Sequence, residues 1–513
     1  MKVTDALDGA LSTLVERPVA ILPAYLIGQS AGTVARTVPL LGLFVVYLLA
    51  LSRGRIDALE DALEETDPTL LRGEEGAIDP EAVATSELDA AVRNLFTPDV
   101  VAVLVLSVAV GLAAFVLLEA VIHAGRVHTV YAALQGRRPL EAGITGAVRD
   151  ARPFVGLRIL EYGLYLLVTA IYGLVVFLAS VIYAADEGIG LFVAAGAALL
   201  APVWLFALLA IAAVFVFAPQ AVVIDGRGTF GGLKGSLGFV RRRPGAFVVY
   251  VVIAFGIAGA VGVLSAVLAV LGGAQVASVL TLLAVSPFLH LLKTGIYADG
   301  ERIDPDPLLS GARRPVLARV RDGWRTSLSS LWTFTRRTPG LIALSLALFG
   351  LGTVGGYYAV GGFALETPLP EDPSAAFGPF PIGTFALIAA NNWLVAVGQS
   401  YAGLAFGVPT AVNLLFNGAL VGLISGLSGD LLLVAALVVP HALIEVPALA
   451  ISGALGFHLA RVGWRRFRGR SDDAALASEL RLAFWVLVGL AVVFVIAAFV
   501  EAFLTPRIAG WLL

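Results

Sequence analysis

The chain contains no cysteine, a single methionine, and lysine only at Lys2, Lys234 and Lys293. The first absence excludes disulfides, thiolate metal sites and cysteine nucleophiles. Charge is scarce as well: Asp, Glu, Lys and Arg form 14% of the 513 residues, against about 25% in an ordinary soluble domain. Walker A, H-E-x-x-H and G-x-S-x-G sequences are missing. Gly226-Arg227-Gly228-Thr229-Phe230-Gly231 fits the dinucleotide pattern but lacks a βαβ setting, and the pattern recurs at Gly350, Gly352 and Gly355 inside an apolar run. Both are chance matches in a glycine-rich chain, and the first reads as a hinge before a surface helix. The chain is therefore expected to be no enzyme, to carry no cofactor and to bind no nucleic acid. Residues 1–15 are amphipathic and acidic, so no cleavable signal peptide is expected.

What is present is apolar sequence, 59% of the chain, with a mean hydropathy of +0.92. Runs of about 20 apolar residues suffice to cross a bilayer. Candidate spans lie at 18–52, 99–123, 155–184, 190–217, 246–271, 275–296, 341–362, 384–407, 409–427, 431–462 and 481–503. This predicts an all-α polytopic membrane protein of about eleven spans, located in the cell membrane. The 18–52 stretch is interrupted in composition near Arg36 and Pro39 and is read as one long broken span, which leaves the acidic 54–98 insertion outside. Low lysine, abundant Ala and Val, and acidic loops give the chain an archaeal, halophile-like composition.

One pattern recurs: an amphipathic segment ends in Arg-Pro or a near variant, and an apolar run follows. It occurs at Arg17-Pro18, Arg152-Pro153, Arg243-Pro244 and Arg337-Thr338-Pro339. Arginine stays in the headgroup zone, and proline fits the first turn of a new helix. Each copy reads as an interfacial helix turning into a span. Basic loops hold Arg126, Arg137, Arg138 and Arg149; Arg241 to Arg243; Arg313 to Arg325; and Arg461 to Arg470, whereas 185–189 and 363–383 lack Lys and Arg. The positive-inside rule places the former in the cytoplasm. The hydrophilic stretch 301–334, with Asp304-Pro305-Asp306-Pro307, divides an N-terminal membrane domain (1–300) from a C-terminal one (335–513).

The polar residues that interrupt the C-terminal spans are Asn391, Asn392, Asn413, Asn417, His441, Glu445 and Glu501. A carboxylate costs roughly 2.5–3.5 kcal/mol to insert at a helix centre, so such residues face a bundle interior and mark functional sites. Asn413 and Asn417 share a helix face, as do His441 and Glu445. Gly418, Gly422 and Gly426 form a ridge that lets another helix approach. Pro440 is expected to break the long 431–462 run. His441, Glu445 and Glu501 have the chemistry of an ion, proton or metal site. The competing reading, ranked ahead from sequence, is interhelical glue in which they satisfy one another, and no metal is assigned. Glu119 and His123 read as a solvated pair, Arg158 and Glu161 as a structural ion pair. His128, His290 and His458 show no partner at ligand spacing.

Asn391-Asn392, Gly403 and Gly407, Asn417-Gly418 with Gly422, the block Pro440-His441-Ala442-Leu443-Ile444-Glu445-Val446-Pro447-Ala448, Gly453 and Gly456, and the ending Glu501-Ala502-Phe503-Leu504-Thr505-Pro506 resemble the stage II sporulation protein M family over about 335–513. The family usually has glycine where Ala442 stands. The resemblance implies a non-enzymatic membrane scaffold or assembly component, which in spore formers works beside peptidoglycan-remodelling enzymes. Expected partners are membrane lipid and unidentified membrane or cytoplasmic proteins, with homo-oligomers left open. The alternative is a transporter or channel built around His441 and Glu445. Pro219 to Asp225, Leu233 to Leu237 and Arg241 to Pro244 resemble a multi-pass domain associated with glycerophosphodiester phosphodiesterases, and no activity is carried over from it.

Overall fold

The computed structural model describes residues 3–65, 87–298, 315–360, 381–428 and 431–512. Much of the acidic insertion (66–86), the Asp304-Pro305-Asp306-Pro307 segment and the acidic loop residues Glu366, Glu371 and Asp372 lie outside them.

Among the described residues every regular element is a helix. In chain order these are α1 (Val3–Glu16), α2 (Pro18–Leu26), α3 (Gly28–Ser52), α4 (Arg55–Glu65), α5 (Glu87–Leu95), α6 (Pro98–Leu134), α7 (Pro139–Arg149), α8 (Ala151–Ala185), α9 (Glu187–Phe215), α10 (Ala218–Asp225) and α11 (Thr229–Arg242). There follow α12 (Pro244–Val270), α13 (Gln275–Leu280), a π-turn at Thr281–Val285, α14 (Ser286–Ala298), α15 (Val316–Arg337), α16 (Pro339–Val360), α17 (Pro381–Ala402), α18 (Val408–Leu427), α19 (Leu431–Phe467), α20 (Asp473–Phe499), a second π-turn at Val500–Leu504 and α21 (Thr505–Leu512). Among the described residues eleven helical stretches are long and apolar enough to cross a membrane, and the chain is an all-α multi-pass membrane protein. Large apolar side chains such as Phe192, Phe206 and Leu443 point outward. In water such a surface would drive aggregation, whereas lipid accepts it.

The Arg-Pro junctions share one construction. A short helix stops and the next starts at Pro18, Pro244 or Pro339, or with Pro153 in its first turn. Proline has no N–H to leave unbonded in a first turn, so each junction bends the chain without a buried orphan donor. Gly226 closes α10 in the left-handed region at φ 66° before α11 begins.

The apolar 18–52 stretch does not break near Arg36 and Pro39. The interruption is at Ile27, and α3 runs unbroken through both residues. Pro39 cannot bond the Ala35 carbonyl, and Gly111 of α6 lies against that carbonyl and the proline ring. The missing side chain at Gly111 gives the displaced backbone room. Arg36 Nε donates to the Gly32 carbonyl of its own helix at 3.2 Å.

By contact the chain falls into two units interleaved along the sequence. One comprises Met1–Ala24, Val116–Ala260 and Leu283–Ala312; the other comprises Tyr25–Phe115, Val261–Leu282 and Arg313–Leu513. The core of the first packs Ala120, Ala124 and Val127 against Phe154, Leu157, Phe215, Ala218 and Val222. Beside it Tyr297 donates its hydroxyl proton to Asp225 at 2.8 Å. The second unit is organised around α17, whose residues 396–402 are all buried. Gly398 of α17 meets Thr33 of α3 so closely that a Cβ would overlap the threonine hydroxyl.

Candidate functional site

His441 and Glu445 lie one turn apart on α19, so both project from the same face. Glu501 arrives from α20, on the π-turn Val500–Leu504. A π-turn carries one residue more than an α-turn, and each extra residue rotates the following side chains by about 100°. Phe503 on that turn packs against Phe385 of α17 and Phe499 of α20, at ring separations of 6.0 and 5.1 Å. One ligand atom from each of His441, Glu445 and Glu501 lies within 4.8 Å of the other two.

The triad does not satisfy itself. His441 Nδ1 is buried without a hydrogen-bond partner. Two ionised carboxylates within 4.8 Å of each other repel by roughly 3.5 kcal/mol or more at an effective dielectric of 20. A cation or a proton must offset that. One imidazole and two carboxylates suit a divalent transition ion, and together they cancel its charge. Two ligands on one such ion stand at most about 4.2 Å apart, so the spread of these three atoms is close to that of a coordination sphere.

Pro440 does not break its helix. α19 is continuous over 37 residues with Pro440 and Pro447 both inside it. Prolines persist within membrane helices when neighbours stabilise the affected turns. What they change is the ladder: the carbonyls of Ala436 and Leu443 cannot receive their usual N–H. Leu443 lies between His441 and Glu445, so the site sits where the backbone has an acceptor to spare.

The asparagines bond to one another. Asn391 Nδ2 donates to Asn392 Oδ1 at 3.2 Å. Asn417 Nδ2 donates to the Asn413 carbonyl at 2.8 Å and to its side chain at 3.2 Å. Among the described residues neither pair bonds to the triad. Gly418, Gly422 and Gly426 face α16: a Cβ on any of them would come within 3.0 Å of Phe349, Thr353 or Tyr357 backbone atoms. Gly352 and Gly356 return the contact, against Leu415 and Ala419 of α18.

Sequence reasoning passed over a fully buried polar knot. Gln399 Nε2 donates to the Leu449 carbonyl at 2.8 Å and to Ser452 Oγ. Ser400 Oγ donates to the Ser452 carbonyl at 2.9 Å, and Thr410 Oγ1 to the Gln399 carbonyl at 2.7 Å. The knot ties α17 to α18 and α19, where Gly403 lies against the Gly456 backbone. The signal was an amide beside a serine in an apolar run.

The N-terminal residues also pair differently from their spacing. His123 is buried rather than solvated; its partner is Arg158, at 2.9 Å, while Glu119 pairs with Arg126 at 3.2 Å. Arg158 and Glu161 do form an ion pair, at 2.8 Å. His128 and His458 have partners that spacing did not reveal, Asp150 at 2.7 Å and Glu479 at 2.9 Å.

The sequence model of the family described as Stage II sporulation protein M matches residues 345–506, a region that includes the whole triad and the glycine seam. Over 176 residues the chain is 28% identical to an uncharacterized protein of Methanocaldococcus jannaschii, covering 34% of this chain and 97% of that one. No solved structure matches the chain. The resemblance of the N-terminal half to phosphodiesterase-associated domains finds no support in these matches.

Proposed function

We propose that the C-terminal part of this chain, similar to the stage II sporulation protein M family, binds a divalent cation within the membrane at His441, Glu445 and Glu501 and carries it across. The observation behind this is the convergence of three ligand atoms within 4.8 Å together with a buried, unpartnered His441 nitrogen. Interhelical glue would have closed those hydrogen bonds internally. Intramembrane carboxylates of this kind line ion pathways. No chemistry on a bound substrate is assigned, and the reading is of a non-enzyme.

A second reading, a scaffold with a structural cation, is favoured by the seam between α16 and α18 and by the Gln399 knot, which make a rigid body suited to docking partners. Metal analysis of the purified chain after loading with Zn2+ or Mn2+, followed by flux into proteoliposomes, separates the two. About one ion per chain, lost in Glu445→Gln, with uptake that the same substitution abolishes, supports transport. Binding without flux supports the scaffold. Absence of binding for both ions overturns the cation site.

A further inference from the structure

The N-terminal unit holds a second polar cluster, built from α6, α8 and α14, and it has the opposite imbalance: donors without acceptors. Arg158 donates Nη1 to Glu161 at 2.8 Å and Nη2 to His123 Nδ1 at 2.9 Å. A guanidinium cannot accept a hydrogen bond, so Nδ1 is the acceptor and the neutral ring carries its proton on Nε2. That N–H is buried and unpartnered, and so is Arg158 Nε. His123 itself is only 8% exposed. Lys293, equally buried, lies within electrostatic reach of Arg158 and Glu161. Leaving such donors unmet is costly, and more so for charged groups.

The charges point the same way. Arg126, Arg158 and Lys293 face Glu119 and Glu161, with Arg126 already held by Glu119 at 3.2 Å and by the Ala24 carbonyl at 3.4 Å. Among these five side chains the cations outnumber the carboxylates. The unmet donors come from separate helices: His123 from α6 and Arg158 from α8, with the Lys293 ammonium on α14. A planar carboxylate meets donors along two edges, whereas a tetrahedral oxyanion receives them from several directions. The cluster lies toward the end of α6 that leads to Arg137, Arg138 and Arg149, and arginines of that kind favour the headgroup layer.

We propose that His123, Arg158 and Lys293 bind a singly charged phosphodiester, the headgroup phosphate of a membrane phospholipid. The chemistry is shared with free phosphate, so the test must separate the two sources. The full chain, purified in detergent and stripped of lipid, is titrated with dioctanoylphosphatidylglycerol, with dioctanoylglycerol (the same tails without phosphate) and with inorganic phosphate, reading affinity and thermal midpoint. Expected is saturable binding of the phosphatidylglycerol alone among the two lipids, weakened about tenfold in Lys293→Met and retained in Lys293→Arg. Displacement of the lipid by inorganic phosphate supports an oxyanion site. Equal binding of both lipids, or undiminished binding in a folded Lys293→Met, overturns it. Binding of inorganic phosphate without the phospholipid overturns the lipid source. Should Lys293→Met not fold, the comparison of the two lipids on the native chain still decides.

Discussion

Gly418 and Phe349 meet backbone to backbone: a Cβ on the glycine would stand inside 3.0 Å of the Phe349 carbonyl oxygen. Because the obstacle is main chain, no rotamer change relieves it. Gly418→Ala must push α16 and α18 apart, at a cost of about 1–3 kcal/mol for overpacking. Gly355→Ala, on an exposed face of α16 with nothing within 4 Å of the new Cβ, is the control. Thermal unfolding in detergent should drop for the first and stay unchanged for the second.

The triad makes a prediction whose sign depends on the ion. With Zn2+ present, Glu445→Gln removes a ligand and lowers the thermal midpoint. After chelation the same substitution removes one of two facing carboxylates and relieves their repulsion, so the variant should then melt above the native chain. Midpoints measured with and without chelator, for both proteins, check the reversal. Parallel shifts in the two conditions count against a cation here.

Gln399 should be intolerant of loss. Gln399→Ala removes the amide donor that reaches the Leu449 carbonyl and Ser452 Oγ, both buried; Ser452 Oγ still donates to that carbonyl at 2.8 Å, so the lost bonding costs about 0.5–1.5 kcal/mol, to which the emptied volume adds. Ser452→Ala in the same chain should cost less when Gln399 is already gone. A double-mutant cycle on thermal or denaturant unfolding measures that coupling.

Asp150, between α7 and α8, supplies a pH dependence. Burial pushes its carboxyl up, but hydrogen bonds from Arg149 and His128 outweigh that and hold it below the ordinary value. A depressed carboxylate stabilises the fold above the unfolded pKa of about 3.9, and that contribution is lost as pH falls through the lower folded value. Native protein should therefore lose stability steadily in that acid range. Asp150→Asn should be less stable at neutral pH and flatter below. Midpoints followed across the acid range give the comparison.

The membrane architecture was legible because its signal is local: apolar run length, the Arg-Pro junctions and the i,i+4 pairs all lie within one helix. His441 with Glu445, and the Gly418 ridge, could be read from one strip of sequence. Partnerships across helices could not. Gln399 reveals itself only through Ser452, 53 positions away, and His123 through Arg158, 35 positions away. Glu501 joins His441 by way of a π-turn, whose extra residue leaves no mark on composition. Pro440 and Pro39 misled because proline is read as a breaker, although a neighbouring glycine, such as Gly111 beside Pro39, can make its place.

The seam between α16 and α18 also has a mechanical meaning. Helices normally touch through side chains, which yield by turning about their own bonds and so absorb a displacement. Here Gly352, Gly356, Gly418 and Gly422 put main chain directly on main chain, and nothing compliant lies between. Close main-chain contact of this kind favours movement of the two helices together as a single plank. Any give within this half of the protein therefore belongs to joints filled by side chains, and the meeting of α19 with the π-turn at Glu501 is one of them.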